Sequence, residues 1–72
     1  MLRGGNEPEA IGHYEQALEI NPDLAEGYYS LGLALEKLGR TTEAVQHYQQ
    51  ALRIKPDFVQ ARDALARVGA VR

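Results

Sequence analysis

Small and apolar residues return every three or four positions through most of this 72-residue chain. Ala10, Ile11, Tyr14, Ala17 and Leu18 make one stripe, and Tyr28, Leu31, Gly32, Leu35 and Leu38 a second. Ala44, Val45, Tyr48, Ala51 and Leu52 make a third. Such spacing marks one face of an amphipathic helix. Stop signals separate the stripes. Pro22 and Pro56 lack the N–H that a helix interior needs, and each is followed by Asp. Gly5 and Gly39 suit the left-handed position that ends a helix. Asp23 with Glu26, and Asp57 with Gln60, have the spacing of capping boxes that open the next helix. The pattern predicts four helices, over 7–20, 24–38, 42–54 and 58–69, and the short turns between them force antiparallel neighbours. The fold class is all-α. Gly12 and Gly27 fall inside helices, where each is expected to cost about 1 kcal/mol relative to alanine.

The stripes also repeat one another. HYEQALEINPD at 13–23 returns as HYQQALRIKPD at 47–57, 34 positions later. Across residues 5–23 and 39–57, eleven of nineteen positions are identical. A period of this length, filled by two helices, is that of a stacked helix–turn–helix array in which each tier must fit the same kind of neighbour.

In these residues the chain resembles the tetratricopeptide repeat. Tyr28, Leu31-Gly32, Leu35, Ala44, Tyr48, Ala51 and Pro56 occupy the motif's places. Leu35 stands where the family prefers a tyrosine. The resemblance implies a single domain over 1–72. Within it, 1–24 is the second half of one repeat, 25–58 a complete repeat, and 59–72 the first helix of the next, serving as a cap. Gly32, Ala44 and Ala51 are small enough to let backbones approach within ~8–10 Å. Tyr48 and Leu31 fill the space those residues leave.

The half repeat at the N-terminus has a consequence. MLRGG resembles the stub of a missing helix, so an apolar surface around Ile11, Tyr14 and Leu18 is expected to stay partly uncovered. Repeat arrays need about three tiers, so self-association through this face is one expected way to cover it. Charge agrees with such a contact. Residues 1–38 carry Arg3 and Lys37 against Glu7, Glu9, Glu15, Glu19, Asp23, Glu26 and Glu36, a balance of −5. Residues 39–72 carry a balance of +3 within an overall charge of −2.

That overall charge disfavours a nucleic-acid partner, which calls for clustered Lys and Arg. The chain has no cysteine, so it has neither a disulfide framework nor a thiolate metal site. No segment reads as a signal peptide or a membrane span, which makes the cytoplasm the default expectation.

Catalytic chemistry finds no constellation. Ser30 has no histidine at a relay spacing. His13 and His47 each follow a glutamate by four residues, yet stacked tiers set them ~10 Å apart, too far to share one zinc ion. No cofactor or metal is expected, and the chain is read as non-enzymatic. The resemblance implies instead a protein or peptide partner, held in the groove lined by the first helix of each repeat. Groove-facing places map to Glu26, Tyr29, Leu33, Glu36 and Lys37, and on the last helix to Gln60, Asp63 and Arg67. Tyr29 and Leu33 are expected to stand clear of the core stripe. Repeats that clamp a C-terminal carboxylate carry Lys, Asn and Arg in the groove, and Tyr29, Ser30, Leu33, Gln60 and Ala64 cannot supply that clamp. The rival reading is a repeat segment of a larger enzyme, of the glycosyltransferase kind, that recruits substrate proteins.

Overall fold

The structure, a computed structural model, describes residues 7–71. They form four α-helices and no strand: α1 (Glu7–Ile20), α2 (Ala25–Lys37), α3 (Thr41–Ile54) and α4 (Val59–Val71). Each boundary lies within one residue of the expected one where α2, α3 and α4 begin, and α1 matches at both ends. Gly5 and the MLRGG segment lie outside the described residues.

The turns explain the helix ends. Asn21 to Leu24 closes with the Leu24 N–H donating to the Asn21 carbonyl at 3.2 Å. Its counterpart 34 residues on closes the same way, Phe58 N–H to the Lys55 carbonyl at 3.0 Å. Pro22 and Pro56 sit second in these turns, where a fixed φ is favourable. This arrangement corrects the capping-box expectation at Asp23. The N-cap of α2 is Leu24, with no side-chain cap. Asp23 lies inside the turn, and its N–H donates to the Asn21 side-chain Oδ1 at 3.3 Å. The exit from α2 follows the glycine rule. Gly39 has φ +81°, its N–H donates to the Glu36 carbonyl at 3.0 Å, and the Arg40 N–H donates to the Leu35 carbonyl at 2.9 Å. That pair of bonds is a Schellman ending, and a side chain at residue 39 would strain it.

Each helix packs on the next in sequence, α1 on α2, α2 on α3 and α3 on α4. One buried cluster joins Leu31, Leu35, Ala44, Tyr48, Ala64 and Val68, and a second joins Ala25, Ala51, Phe58 and Ala61. Ala44, Tyr48 and Ala51, all on α3, are 0 % exposed. The close approach of α2 and α3 depends on Gly32. A Cβ there would lie 2.5 Å from Tyr48 Cε1, inside the ring's van der Waals surface. Gly27 has a packing reason as well, because its buried backbone faces Leu18 of α1 and a Cβ would stand 3.0 Å from Leu18 Cδ2. Gly12 meets nothing within 4 Å. The two mid-helix glycines that look alike in sequence differ in what they serve.

Candidate functional site

The side of the molecule shared by α2 and α4 carries two shallow depressions. One, about 190 Å³, is lined by Leu33, Glu36, Lys37 and Arg67. The other, about 330 Å³, is lined by Tyr29, Gln60, Asp63, Ala64 and Arg67. Arg67 borders both, so they run on as one surface. The structure therefore brings together every groove residue expected from the sequence except Glu26, which is exposed in the first turn of α2 and lines neither depression.

The floor of this surface differs from expectation in one respect. Tyr29 and Leu33 do not stand clear of the core, because both are half-buried and pack against it. The Tyr29 ring lies 5.3 Å from Phe58 and 5.9 Å from Tyr48, centroid to centroid, so it bridges the two buried clusters. The physical reason is that α2 is flanked by helices on more than one side. Its buried arc is wider than a single stripe.

At the other end of the surface a charged network crosses three helices. The Arg67 guanidinium on α4 donates to both carboxylate oxygens of Glu36 on α2. The Tyr48 hydroxyl on α3 donates to Glu36 Oε1 at 2.7 Å. The Arg67 hydrogen bond lowers the Glu36 pKa from its ordinary value, partial burial opposes that shift, and the Tyr48 hydroxyl adds to it. Burial pushes the Tyr48 phenol well above its ordinary value, and the adjacent Glu36 carboxylate pushes the same way. The Tyr48 hydroxyl, the one polar atom of this core side chain, is thus satisfied. No buried side-chain polar atom among the described residues lacks a partner. Sequence reasoning placed Glu36 and Arg67 in the groove as separate charges. They are instead joined to each other, and a pair 31 residues apart leaves no local signal.

His47 has protein partners of its own. His47 Nδ1 lies 3.0 Å from the Glu43 main-chain carbonyl and must carry a hydrogen to bond there. The Glu43 carboxylate pairs with Arg40 at 2.8 Å. The His47 ring meets Tyr28 edge-on at 6.0 Å. Among the described residues no group of three or more His, Cys, Asp or Glu could hold a metal ion. None of these helices is long and apolar enough to cross a membrane.

The expected open face lies on α1. Ile11, Tyr14 and Leu18 are half-buried against the first core cluster, and Ile20 at the end of the helix is 85 % exposed. No described side chain of α1 is fully buried.

Helix pairs of one length, joined by matching turns and closed by small residues at their crossings, define a helical-repeat protein. A family model described as TPR repeat matches residues 3–39, and one described as tetratricopeptide repeat matches residues 25–58. The chain belongs to the tetratricopeptide-repeat family. Members of that family are typically non-catalytic modules that mediate protein–protein interaction. A comparison with curated proteins finds no match.

Proposed function

We propose that this chain is a protein-binding module whose α2–α4 surface holds an extended peptide or a partner helix. It is organised as a half repeat at 1–24, a complete repeat at 25–58 and a capping helix at 59–72. The observation that supports this reading is the continuity of the two depressions across Arg67. An aromatic floor at Tyr29 lies at one end and an ion pair at the other. Apolar contact supplies affinity on such a surface and charge supplies register. Because the Glu36–Arg67 pair ties α2 to α4, the surface is already ordered before a ligand arrives, which lowers the entropic cost of binding.

Tyr29→Ala would disturb the core, so exposed positions on the same surface are better probes. Peptides selected against the wild-type chain from a displayed random library should lose at least about tenfold in affinity on Asp63→Arg. They should keep their affinity on Glu15→Arg, which alters exposed α1. Selected peptides indifferent to Asp63→Arg and to Lys37→Glu would remove the groove from consideration.

A second reading is supported by α1. Its half-covered Ile11, Tyr14 and Leu18 and its bare Ile20 suit self-association. Light scattering tests it, since the mass of the 72-residue chain should rise above that of one copy as concentration increases.

A further inference from the structure

We infer that the surface which covers α1 is α4 of a second copy. Chains would then join head to tail in the register that α2 and α3 already use within one copy. This inference rests on the self-association reading.

The chain contains its own template for the contact. α1 is a near-copy of α3, and α3 lies on α2. Shifted by 34, α2 falls on α4, with Leu31 on Leu65, Ala34 on Val68 and Ala25 on Val59. α4 thus offers a helix of the α2 kind with no α3-like helix after it among the described residues. α1 is a helix of the α3 kind with no α2-like helix before it among the described residues. The two open ends are the two halves of one pair.

Exposure agrees with that assignment. Ile20 and Val59 are the most exposed large apolar side chains described, at 85 % and 53 %. Their counterparts are Ile54 and Ala25, and these share a single cluster with Ala51, Phe58 and Ala61. In the shared register, Ile20 of one copy enters the surroundings of Val59 of the next. At the opposite end of α4 from Val59, between the start of α3 and the end of α4, runs an open cleft of about 640 Å³ lined by Val45, Leu65, Val68 and Gly69 with uncharged neighbours. On α2 the matching positions, Leu31, Ala34 and Leu35, are buried.

Charge selects this pairing over a symmetric one. α1 carries Glu9, Glu15 and Glu19 with no Lys or Arg. Two α1 helices face to face would set these carboxylates against each other, whereas α4 carries Arg62 and Arg67 against Asp63 alone. A contact between unlike surfaces propagates, giving an open chain of copies or a closed ring.

One position resists the fit. Ala66 stands where α2 has Gly32, and Tyr14 stands where α3 has Tyr48. A Cβ at Gly32 would lie 2.5 Å from the Tyr48 ring, so Ala66 presses on an incoming Tyr14 and weakens the joint. Ala66→Gly should therefore tighten association although glycine weakens an exposed helix.

The deciding experiment is a mixing experiment on the 72-residue chain, read by light scattering with circular dichroism to confirm folding. Ile20→Lys and Val59→Lys alter exposed side chains on opposite sides of the joint. Each variant alone should stay monomeric, and an equimolar mixture should form a one-to-one dimer, because one intact α1 then meets one intact α4. Folded Ala66→Gly should associate at about fivefold lower concentration than wild type, or lower still. Association that survives Val59→Lys but not Ile20→Lys would overturn the head-to-tail joint and leave α1 meeting α1. A wild-type chain that stays monomeric at every concentration would overturn self-association itself, while the α2–α4 groove would stand.

Discussion

α1 and α3 are close to the same helix written twice, and they have different fates. On α3, Ala44, Tyr48 and Ala51 are shut off from solvent. On α1 the matching Ala10, Tyr14 and Ala17 are only half covered. The residues are identical, so the difference lies in the neighbours. α3 has α2 on one side and α4 on the other, while α1 packs chiefly on α2. The motif specifies the shape of a contact. Burial comes from having a contact on both sides.

The comparison breaks most sharply at its tyrosines. Tyr48→Ala should cost about 3–5 kcal/mol, which matches or exceeds what a chain of this size usually has in total. Urea unfolding followed by circular dichroism should find it unfolded in buffer. Tyr14→Ala should cost about 1–2 kcal/mol by the smaller area it hides and leave a measurable transition. Equal losses at the two sites would show that α1 is covered as fully as α3.

Gly32→Ala comes next. Its new Cβ must displace the Tyr48 ring, and overpacking of this kind costs about 1–3 kcal/mol. The urea midpoint should fall accordingly, and an unchanged midpoint would show that the ring gives way freely.

Tyr48→Phe isolates the hydroxyl. Losing its bond to the Glu36 carboxylate should cost about 1 kcal/mol, since that carboxylate remains partly open to water. It also separates two pH effects of opposite sign. Glu36 has a lowered folded pKa. Its stabilisation is complete above the ordinary glutamate range near ~4.3 and is lost as pH falls below that range. Tyr48 has a raised folded pKa. Its contribution is complete below the ordinary tyrosine value near ~10 and is lost as pH rises above it. Urea midpoints followed into the alkaline range should fall less steeply for Tyr48→Phe than for wild type, and parallel curves would contradict the raised phenol.

The smallest effect concerns the glycines. Gly12→Ala should stabilise by about 0.5–1 kcal/mol, because its Cβ enters open space. Gly27→Ala gains the same helix propensity but presses on Leu18, so its melting temperature should rise less or fall.

Helices and turns were legible because periodicity, proline and glycine act locally. The Asn21–Leu24 and Lys55–Phe58 turns follow from NPD and KPD, and the Gly39 ending follows from one residue. Asp23 misled because its side chain is equally suited to a turn and to a cap. The groove residues were found from the repeat frame, which carries position but not occupancy. It could not show that Tyr29 bridges two clusters, because the width of a buried arc depends on how many helices flank it. Nor could it show that Glu36 and Arg67 meet. In the 34-residue frame Arg67 is the counterpart of Leu33, one turn before Glu36. Diagonal neighbours on adjacent tiers were the one available hint.

The molecule measures 34 × 33 Å across but only 17 Å through. A slab that thin has no deep interior in which all four helices share a fate. Amide hydrogens should therefore exchange in a spatial order, slowest at the middle of α3 and fastest along α1, which can peel from α2 without disturbing the pair behind it. By that order α1 should act as a clasp that opens on a shorter timescale than the pair behind it, so that a partner competing for α2 would reach it from that side first.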